Sequence, residues 1–379
     1  MKKKELQILY IITKLELGGA QKVCLALLNG TQEQGHTSFL IAGDGGILSQ
    51  SVSHNKNVFL LNSLKREANF SSILAELKAF KDLVAQIKKI RKDFPHLIVH
   101  THSTKAGIIG RWAAFFAGVS QRVHTIHGFA FHDHQSWPLW LSIYMVELLT
   151  SFITTHYVCV SSYDVRKAIK LFPRFAKKHS IIRAAVDPEP FFNAARKTTL
   201  ENNTDLFVFG TVSCFKKQKN LFDMLQAFSL AHQKNNLLRL EIIGDGALRP
   251  ALEAWIAHRN LQEVVILHGW QENVAPIMAT WNAFILSSLW EGLPCAIVEA
   301  RLLKLPVLAY DTGGIHDVIF NGENGLLYKP KHWQELAQGM MDISNNQLLY
   351  KKLSHYKDDL SLFDQNVMIN QHLQLYRSF

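Results

Sequence analysis

Short apolar runs alternate with segments of helical spacing along most of this 379-residue chain. In the first half the runs predict strands at residues 6–13, 37–42, 98–102, 122–126 and 157–161. Residues 184–190 include two prolines, interrupt the alternation and are typical of a linker. The alternation restarts with strands predicted at residues 206–212, 237–243, 264–267, 283–286 and 307–310. Strands separated by helices predict parallel sheets covered on both faces.

The sequence therefore predicts an α/β fold of two doubly wound domains, residues 1–190 and 191–360. In such domains ligands bind beyond the carboxyl ends of the strands, so we expect a cleft between the two sets of strand ends.

The segment after the strand at residues 283–286 has the pattern of a ligand-binding turn. The chain turns at Gly292, and Pro294 is expected at the first position of a helix. Such a helix start directs backbone N–H groups and the positive end of a dipole at an anion. Glu291 and Glu299 add carboxylates, which accept hydrogen bonds from hydroxyl groups. An anion-binding helix end with two such acceptors suits a nucleotide sugar.

Three further turns in the second half repeat the pattern of a strand, a polar or glycine turn and a helix. The turn at residues 210–220 carries Lys216, Lys217 and Lys219, which suit a diphosphate or form a solvated basic loop. The other two turns are Gly244-Asp245-Gly246, followed by Arg249, and Thr312-Gly313-Gly314. Because parallel strands bring such turns to one edge of a sheet, we expect them to share one site.

The first half carries a weaker glycine signal and three groups of histidines. Gly18 and Gly19 follow the first predicted strand, but no GxGxxG fingerprint is present, which disfavours an NAD-dependent oxidoreductase. The histidine groups are His100 with His102, His124 with His127, and His132 with His134. His100 and His102 share a strand face, but no cysteine or carboxylate cluster completes a metal site. For His127 we favour a ligand-facing role over that of a loop histidine whose hydrogen bonds are satisfied.

The net charge of +10 is concentrated in the first half of the chain. Residues 1–195 hold 24 Lys and Arg against 13 Asp and Glu, whereas the remainder holds 17 against 18. This excess favours an anionic partner, either a membrane phospholipid or a pyrophosphate-linked acceptor, with a basic surface for solubility as the alternative. Nucleic acid is disfavoured because no recognition motif accompanies the charge.

The cysteines and the N-terminus indicate a location in the cytoplasm. The four cysteines lie far apart, which predicts reduced thiols without structural zinc. The apolar run after the N-terminal lysines is too short for a signal peptide and predicts a strand.

Residues 137–160 are almost continuously apolar and long enough to span a bilayer. Glu147 lies in their middle and a predicted strand ends the segment, so a spanning helix would divide the first domain. We therefore expect a helix that is partly buried and partly in the membrane interface. With the basic first domain, this leads to the hypothesis of peripheral docking at the inner face of the cytoplasmic membrane.

Several of these segments resemble signatures of the retaining family 4 glycosyltransferases. The most specific is Glu291-x7-Glu299, preceded by Ser-x-x-Glu-Gly from Ser288. Supporting segments spread over nearly the whole chain are Gly18-Gly19-Ala20-Gln21, His102-Ser103-Thr104-Lys105-Ala106-Gly107, His124-Thr125-Ile126-His127-Gly128-Phe129, Lys219, Gly244-Asp245-Gly246, Gly269-Trp270 and Thr312-Gly313-Gly314. The resemblance implies a GT-B fold, with the acceptor on the first domain and the nucleotide sugar on the second. It also implies a C-terminal helix, about residues 361–379, that packs back on the first domain.

The resemblance implies a role for each matching residue. Glu299 would bind the ribose hydroxyls of the donor, and Glu291 its sugar. Lys219 would neutralise the diphosphate, and His127 would contact the transferred sugar near its anomeric carbon. The remaining donor-side positions are Gly19, Lys216, Gly244, Asp245, Gly246, Arg249, Gly269, Trp270, Gly292, Leu293, Pro294, Cys295, Gly313 and Gly314, and the acceptor-side positions are His102, Lys105, Gly128 and Phe129. No metal or other cofactor is expected, because lysine and helix dipoles would stabilise the leaving diphosphate.

One position departs from the family pattern. Cys214 stands where many members carry an arginine that assists the lysine on the diphosphate, so Lys216 or Lys217 would have to compensate.

The sequence predicts a retaining glycosyltransferase that moves a sugar, by family frequency from a UDP-sugar, to a lipid-linked saccharide in cell-surface polysaccharide or lipopolysaccharide synthesis. Two alternatives stay open: a nucleotide-sugar epimerase or hydrolase on the same fold, and a non-catalytic protein that binds glycolipid.

Overall fold

The computed structural model describes residues 5–65, 73–131, 135–198 and 205–379. The chain divides into two compact units, one formed by Met1–Ala185 with Gln365–Phe379 and the other by Val186–Asp364. Each unit contains one parallel sheet, as the alternation of apolar runs and helical segments predicts.

The first unit has a seven-stranded sheet in the order β3-β2-β1-β4-β5-β6-β7. The strands are β1 (Gln7–Lys14), β2 (Thr37–Gly43), β3 (Val58–Leu61), β4 (Ile98–His102), β5 (Gln121–Ile126), β6 (His156–Cys159) and β7 (His179–Ile181). The helices that connect them are α1 (Gly19–Glu33), α2 (Ser49–Val52), α3 (Ile73–Asp93), α4 (Thr104–Phe116), α5 (Trp137–Ile153) and α6 (Ser162–Leu171). The strand order reverses between β1 and β4, where Ile8 pairs with Ile98 in parallel register.

The second unit has a six-stranded sheet in the order β10-β9-β8-β11-β12-β13. Its strands are β8 (Phe207–Val212), β9 (Leu238–Ile243), β10 (Val265–Gly269), β11 (Ala283–Leu286), β12 (Val307–Tyr310) and β13 (Gly325–Tyr328). Its helices are α7 (Glu189–Thr198), α8 (Leu221–Lys234), α9 (Arg249–His258), α10 (Ala275–Met278), α11 (Cys295–Leu302), α12 (Trp333–Asn345) and α13 (Gln347–Ser354). Here the order reverses between β8 and β11, which places the turns after these two strands side by side.

The last helix, α14 (Gln365–Arg377), belongs to the first unit although it follows the second unit in sequence. It packs on α1 at Gly30, where a Cβ atom would lie only 2.3 Å from Ile369. Gln34 Nε2 also donates a hydrogen bond to Asn370 Oδ1 at 3.1 Å. The expectation that a C-terminal helix returns to the first unit is confirmed.

Some local predictions are wrong. Residues 184–190 are not linker throughout, because α7 begins at Glu189 within them. Strands β3, β7 and β13 were not predicted; each has only three or four residues, and most of their side chains are half-buried or exposed. Pro294 precedes α11 as its N-cap, with φ −76° and ψ 106°, instead of occupying the first helical position.

Among the described helices, none combines the length and the apolar character needed to cross a membrane. The apolar segment at residues 137–160 instead forms α5 and then β6, which pairs in the sheet between β5 and β7.

Candidate functional site

In the second unit, the turn that follows β8 is fastened to the turn that follows β11. Backbone Leu289 N donates to Gln218 O at 2.8 Å, and Gln218 Nε2 donates to Trp290 O at 2.7 Å. The buried hydroxyl of Ser287 donates to the carbonyl oxygens of Lys219 and Asn220 at 2.9 and 3.0 Å. These bonds fix the two turns to each other at the carboxyl edge of the sheet.

Lys219 and Glu291 form an ion pair at this junction. Lys219 Nζ donates to Glu291 Oε1 at 2.5 Å, and the two side chains are 20% and 8% exposed. Because both groups are largely shielded from water, the pair holds the ammonium group more firmly than a surface ion pair would. An ammonium group has three donors, so Lys219 keeps hydrogen-bonding capacity while it contacts Glu291.

The turn after β12 packs directly on the residues that follow Glu291. Gly314 N donates to Gly292 O at 2.7 Å. Gly313 has φ 58°, and a Cβ atom there would lie 2.0 Å from the carbonyl oxygen of Glu291. Glycine is therefore required at 313 both by its left-handed backbone and by this close approach.

Helix α11 begins directly after these turns, four residues after Glu291. Leu293 and Pro294 precede it, Cys295 opens it, and Glu299 lies one turn further along with a buried side chain. The N-terminal turn of a helix presents backbone N–H groups and a positive dipole end. The local arrangement joins an anion-attracting helix end, the Lys219 ammonium group and two carboxylates.

The turn after β9 lies beside the turn after β8. One of its predicted donor-side residues, Arg249, forms ion pairs with neighbouring carboxylates. Gly244 N donates to Gly269 O at 2.8 Å, and Phe215 N donates to Asp245 O at 2.9 Å. Arg249 is paired with Asp245 at 3.1 Å and with Glu253 at 2.8 Å. Lys216 lies in the β8 turn with its side chain partly exposed, and Trp270, after β10, is 38% exposed.

In the first unit, His102 and His127 come together at the ends of β4 and β5. His102 Nδ1 lies 3.0 Å from His127 Nε2, and the two rings are 5.3 Å apart. Gly128, next to His127, has φ 109°, a conformation that a side chain would strain. The His102 ring is fully buried, whereas the His127 ring is half-buried.

The hydrogen bond between His102 and His127 contains one proton, and its position follows from the second nitrogen of His102. His102 Nε2 is buried and has no partner among the described residues. If His127 donated, neutral His102 would carry a buried unpaired N–H group at this atom, an arrangement that is rare and costs about 1–3 kcal/mol. We therefore assign the proton to His102 Nδ1. His127 then accepts at Nε2 and carries its own proton on Nδ1, which leaves it a hydrogen-bond donor.

His102 and His127 belong to a larger group of buried and half-buried rings, the histidine cluster, which we define as His100, His102, His127 and His372. The ring of His100 lies 4.5 Å from that of His102 and 5.6 Å from that of His372 in α14. Burial lowers the pKa of His127 to about 3 and that of His372 to about 4, and holds the pKa values of His100 and His102 well below 6.5. All four rings are therefore neutral at physiological pH.

The histidine cluster does not have the geometry of a metal site. Both nitrogens of His100 are engaged, with Tyr376 Oη at 2.5 Å and Thr125 Oγ1 at 2.7 Å. No group of three or more His, Cys, Asp or Glu in the described parts of the chain is placed to hold a metal ion. The motif His132-Asp133-His134 lies outside the described residues.

Ser103, next to His102, has an unusual backbone that sequence reasoning did not anticipate. Its φ of 64° and ψ of 156° fall in a region that is essentially restricted to glycine and costs about 1–3 kcal/mol for other residues. A pocket opens beside it, lined by Ser103, Thr104, His127, Phe129, Tyr157 and Phe172. Strain of this kind is concentrated at functional sites, which makes the β4–α4 turn a candidate ligand contact.

The other predicted positions of the first unit are also at strand ends. Gly19 opens α1 and is exposed; neither it nor Gly18 has a positive φ, so they are not required for an unusual backbone. Lys105 is paired with Glu76 at 2.6 Å. The ring of Phe129 packs against that of Phe131 at 4.7 Å. His372, from the far end of the chain, was not predicted, because no local pattern links it to β4.

Two family profiles together cover nearly the whole chain. The profile described as Glycosyltransferase Family 4 matches residues 17–190, and the profile described as Glycosyl transferases group 1 matches residues 193–359. The chain is 30% identical over 342 residues to the UDP-Gal:alpha-D-GlcNAc-diphosphoundecaprenol alpha-1,3-galactosyltransferase of Escherichia coli, which covers 88% of this chain and 86% of that protein. It is 23% identical over 329 residues to the capsular polysaccharide biosynthesis glycosyltransferase CapM of Staphylococcus aureus, with 83% and 82% covered.

Solved structures share the architecture at lower sequence identity. HepE from Anabaena, crystallised with UDP and glucose, superposes with a TM-score of 0.81 and 18% identity, covering 99% of this chain and 100% of that one. The two sheets of this chain are those of the GT-B fold, as the resemblance implied.

Proposed function

This chain belongs to the family 4 and group 1 glycosyltransferases, and on that premise we propose that it transfers a sugar from a UDP-sugar to a lipid-linked saccharide with retention of the anomeric configuration. The observation that carries the proposal is the ion pair between Lys219 and Glu291 beside the N-terminus of α11. The E. coli relative, whose name specifies a UDP-sugar donor and a diphosphoundecaprenol-linked acceptor, supports both substrates.

The chemistry of the second unit suits a nucleotide-sugar donor. As the bond between the anomeric carbon and the diphosphate oxygen breaks, negative charge grows on the leaving group. The Lys219 ammonium group and the α11 dipole stabilise that charge more in the transition state than in the ground state. Glu291 binds the sugar hydroxyls, and Glu299 binds the ribose hydroxyls. The acceptor oxygen forms the new bond on the same face of the sugar, and its proton passes to the leaving phosphate oxygen.

The first unit is assigned to the acceptor and to the reacting sugar. The N–H group of His127 at Nδ1 would donate a hydrogen bond to an oxygen of the transferred sugar. His102 Nδ1, 3.0 Å from His127 Nε2, holds the His127 ring in that tautomer. Synthesis of a cell-surface polysaccharide or lipopolysaccharide is the role that such an acceptor implies.

Thermal-shift measurements on the purified protein test the donor assignment first. We expect UDP to raise the midpoint of unfolding, because a ligand that binds only the folded state stabilises it by mass action. GDP, ADP and CMP should raise it less. Stabilisation by none of them, with the protein folded, would contradict the proposal and favour the non-catalytic glycolipid-binding alternative.

Glu299→Gln is expected to weaken UDP binding by about 5- to 150-fold. The variant replaces a carboxylate, which accepts hydrogen bonds from hydroxyls, by an amide. Hydrogen bonds to a charged group contribute about 1–3 kcal/mol, which sets the size of the expected loss in affinity. Isothermal titration calorimetry with UDP measures it. Glu335→Gln on α12, where the glutamate is exposed, serves as the matched control and should bind UDP like the parent protein. If both variants bound UDP with equal affinity, Glu299 would not be a ribose contact.

Lys219→Ala is expected to lower kcat by about 10- to 100-fold, with a smaller effect on the donor Kd. A charge that acts on the leaving group is felt mainly in the transition state. Lys234→Ala is the control, since its exposed lysine lies at the far end of α8, about 20 Å along the helix from the β8 turn. A loss confined to donor affinity would argue against the role in catalysis.

The same assay distinguishes the enzyme alternatives. Release of UDP that depends on the saccharide acceptor supports transfer. Conversion of the nucleotide sugar without an acceptor would indicate an epimerase or a hydrolase instead.

A further inference from the structure

Helix α5 exposes large apolar side chains to solvent, although three of its polar side chains are buried. Its buried residues are Glu147, Thr150 and Ser151. Its most exposed residues include Trp137 at 70%, Leu149 at 57% and Phe152 at 64%. A surface helix of a globular protein normally shows the opposite distribution.

The inward polar residues are firmly bonded, so this orientation is built into the fold. The side chain of Glu147 is paired with the buried Arg111 of α4 at 2.8 Å. Thr150 Oγ1 accepts a hydrogen bond from Trp112 Nε1 at 3.0 Å. Tyr144 Oη donates to Leu171 O of α6 at 2.9 Å. Turning α5 over would bury its apolar face but would leave these groups, including a buried guanidinium, without partners.

The exposed side chains form one continuous surface, the apolar face, which we define as Trp137, Leu139, Met145, Val146, Leu149 and Phe152. The exposed side of α5 has no charged residue, since Glu147 is the only charged residue in the helix and is buried. Phe115 and Phe116 of α4 extend the surface, because Arg122 links Phe115 to the end of α5. The Arg122 guanidinium lies 5.5 Å from the Phe115 ring, and its Nε donates to Ile153 O at 2.6 Å.

Basic side chains border the C-terminal end of the apolar face: Arg122 Nε donates to Ile153 O at 2.6 Å, and Lys178 Nζ donates to Ser151 O at 2.5 Å. Further exposed basic side chains follow in the sequence, on α6 and the next turn, at Arg166, Lys170, Arg174 and Lys177. Between Thr104 and Ala185 the described acidic residues, Glu147 and Asp164, are both buried. A face of apolar side chains with a rim of basic ones matches the boundary between acyl chains and anionic headgroups.

We propose that the apolar face of α5 docks the first unit on an anionic lipid bilayer, with its side chains at the level of the headgroups. A second copy of the chain is a poorer occupant, because two basic rims would be brought together. Insertion across the bilayer is excluded for α5, because its inner side is bonded to α4 and α6. The inference does not depend on the proposed reaction, and the nucleotide measurements can fail without affecting it.

Flotation of the full-length protein with lipid vesicles tests the proposal. We expect binding to phosphatidylcholine vesicles that contain about 30 mol% phosphatidylglycerol, and much weaker binding to pure phosphatidylcholine. Raising the NaCl concentration from about 0.05 M to about 0.5 M should weaken binding by screening the basic rim. No flotation with the anionic vesicles would overturn the proposal.

Leu149→Ser with Phe152→Ser should reduce binding to the anionic vesicles about tenfold or more, because two inserted side chains are lost. Both positions are exposed, so the thermal unfolding midpoint should not fall. The matched control is Phe320→Ser with Leu348→Ser, two exposed apolar residues of the second unit that are 50% and 82% exposed. Equal flotation of the two double variants would overturn the proposal. The proposal would also be overturned if the wild-type protein were a dimer and the α5 double variant a monomer. That result would identify a second copy of the chain as the partner of the apolar face.

Discussion

Acidification from about pH 7.5 to about pH 5.5 is expected to lower the free energy of unfolding of the first unit by at least about 4 kcal/mol, through the four rings of the histidine cluster. The lowered pKa values of His124 and His156 add to this loss. The four rings of the histidine cluster are neutral in the folded protein because burial lowers their pKa values, to about 3 for His127 and about 4 for His372. In the unfolded chain each ring binds a proton near pH 6.5. The unfolded state therefore gains protons that the folded state does not.

The sign follows from this difference in proton binding. The contribution of the neutral rings to the free energy of unfolding is fully present above pH 6.5. It falls as the pH drops below that value and levels off only near the pKa values of the folded state. Each ring contributes at least about 1 kcal/mol over the stated interval, because the unfolded state gains nearly one proton per ring that the folded state does not bind. Chemical denaturation at several pH values measures the slope, and hydrogen exchange of the β4 amides assigns it to the first unit.

A single variant separates the histidine cluster from other titrating groups. His372 makes one hydrogen bond within α14, to Met368 O at 2.9 Å, and its Nε2 has no partner among the described residues. His372→Phe should therefore keep the packing and reduce the pH slope by about a quarter of the cluster's contribution. His258→Phe, at an exposed position on α9, is the control. An unfolding free energy that is constant to within about 1 kcal/mol over the interval would contradict the prediction.

The sequence predicts the arrangement of strands well where local patterns decide it. Residues 98–102, 283–286 and 307–310 were predicted as strands and form β4, β11 and β12 with those limits. The last two are continuous apolar runs, as buried parallel strands usually are, whereas β4 begins with Ile98 and Val99 and continues with polar residues. The short strand β7 escaped prediction, since its residues His179, Ser180 and Ile181 are half-buried or exposed and carry no such signal. Pairing with the neighbouring strand β6, rather than composition, makes it a strand.

The candidate site is predictable only where its residues are close in sequence. The pattern Glu291-x7-Glu299 and the lysines of the β8 turn pointed to an anion-binding site, but not to the contact between Lys219 and Glu291, which are 72 residues apart. Similarly, His100 and His102 were expected on one strand face, whereas Tyr376 and His372 cover that face from the end of the chain. Such contacts depend on the tertiary fold, for which one sequence holds no local signal.

The second unit is expected to lose about 3–5 kcal/mol of stability when Arg301 is replaced by Met, the largest mutational effect that we anticipate. Arg301 lies two residues after Glu299 in α11 and is fully buried. Its Nη2 and Nε donate to Asp358 Oδ2 at 2.7 and 3.1 Å, and its Nη1 donates to Leu305 O at 2.7 Å. Without the guanidinium, the carboxylate of Asp358 stays buried, and among the described residues Asn324 Nδ2, at 2.6 Å, is the side-chain partner that remains.

The effect should appear as a fall of about 10 °C in the thermal unfolding midpoint of the second unit. Lys352→Met breaks an exposed ion pair with Glu323 at 3.4 Å and should cost less than about 1 kcal/mol. Arg301→Met combined with Asp358→Leu should recover part of the loss, because the uncompensated buried charge is then removed. If Arg301→Met proves as stable as Lys352→Met, the buried pair does not anchor α11. The position of Glu299 would then depend on the turns at the start of the helix alone.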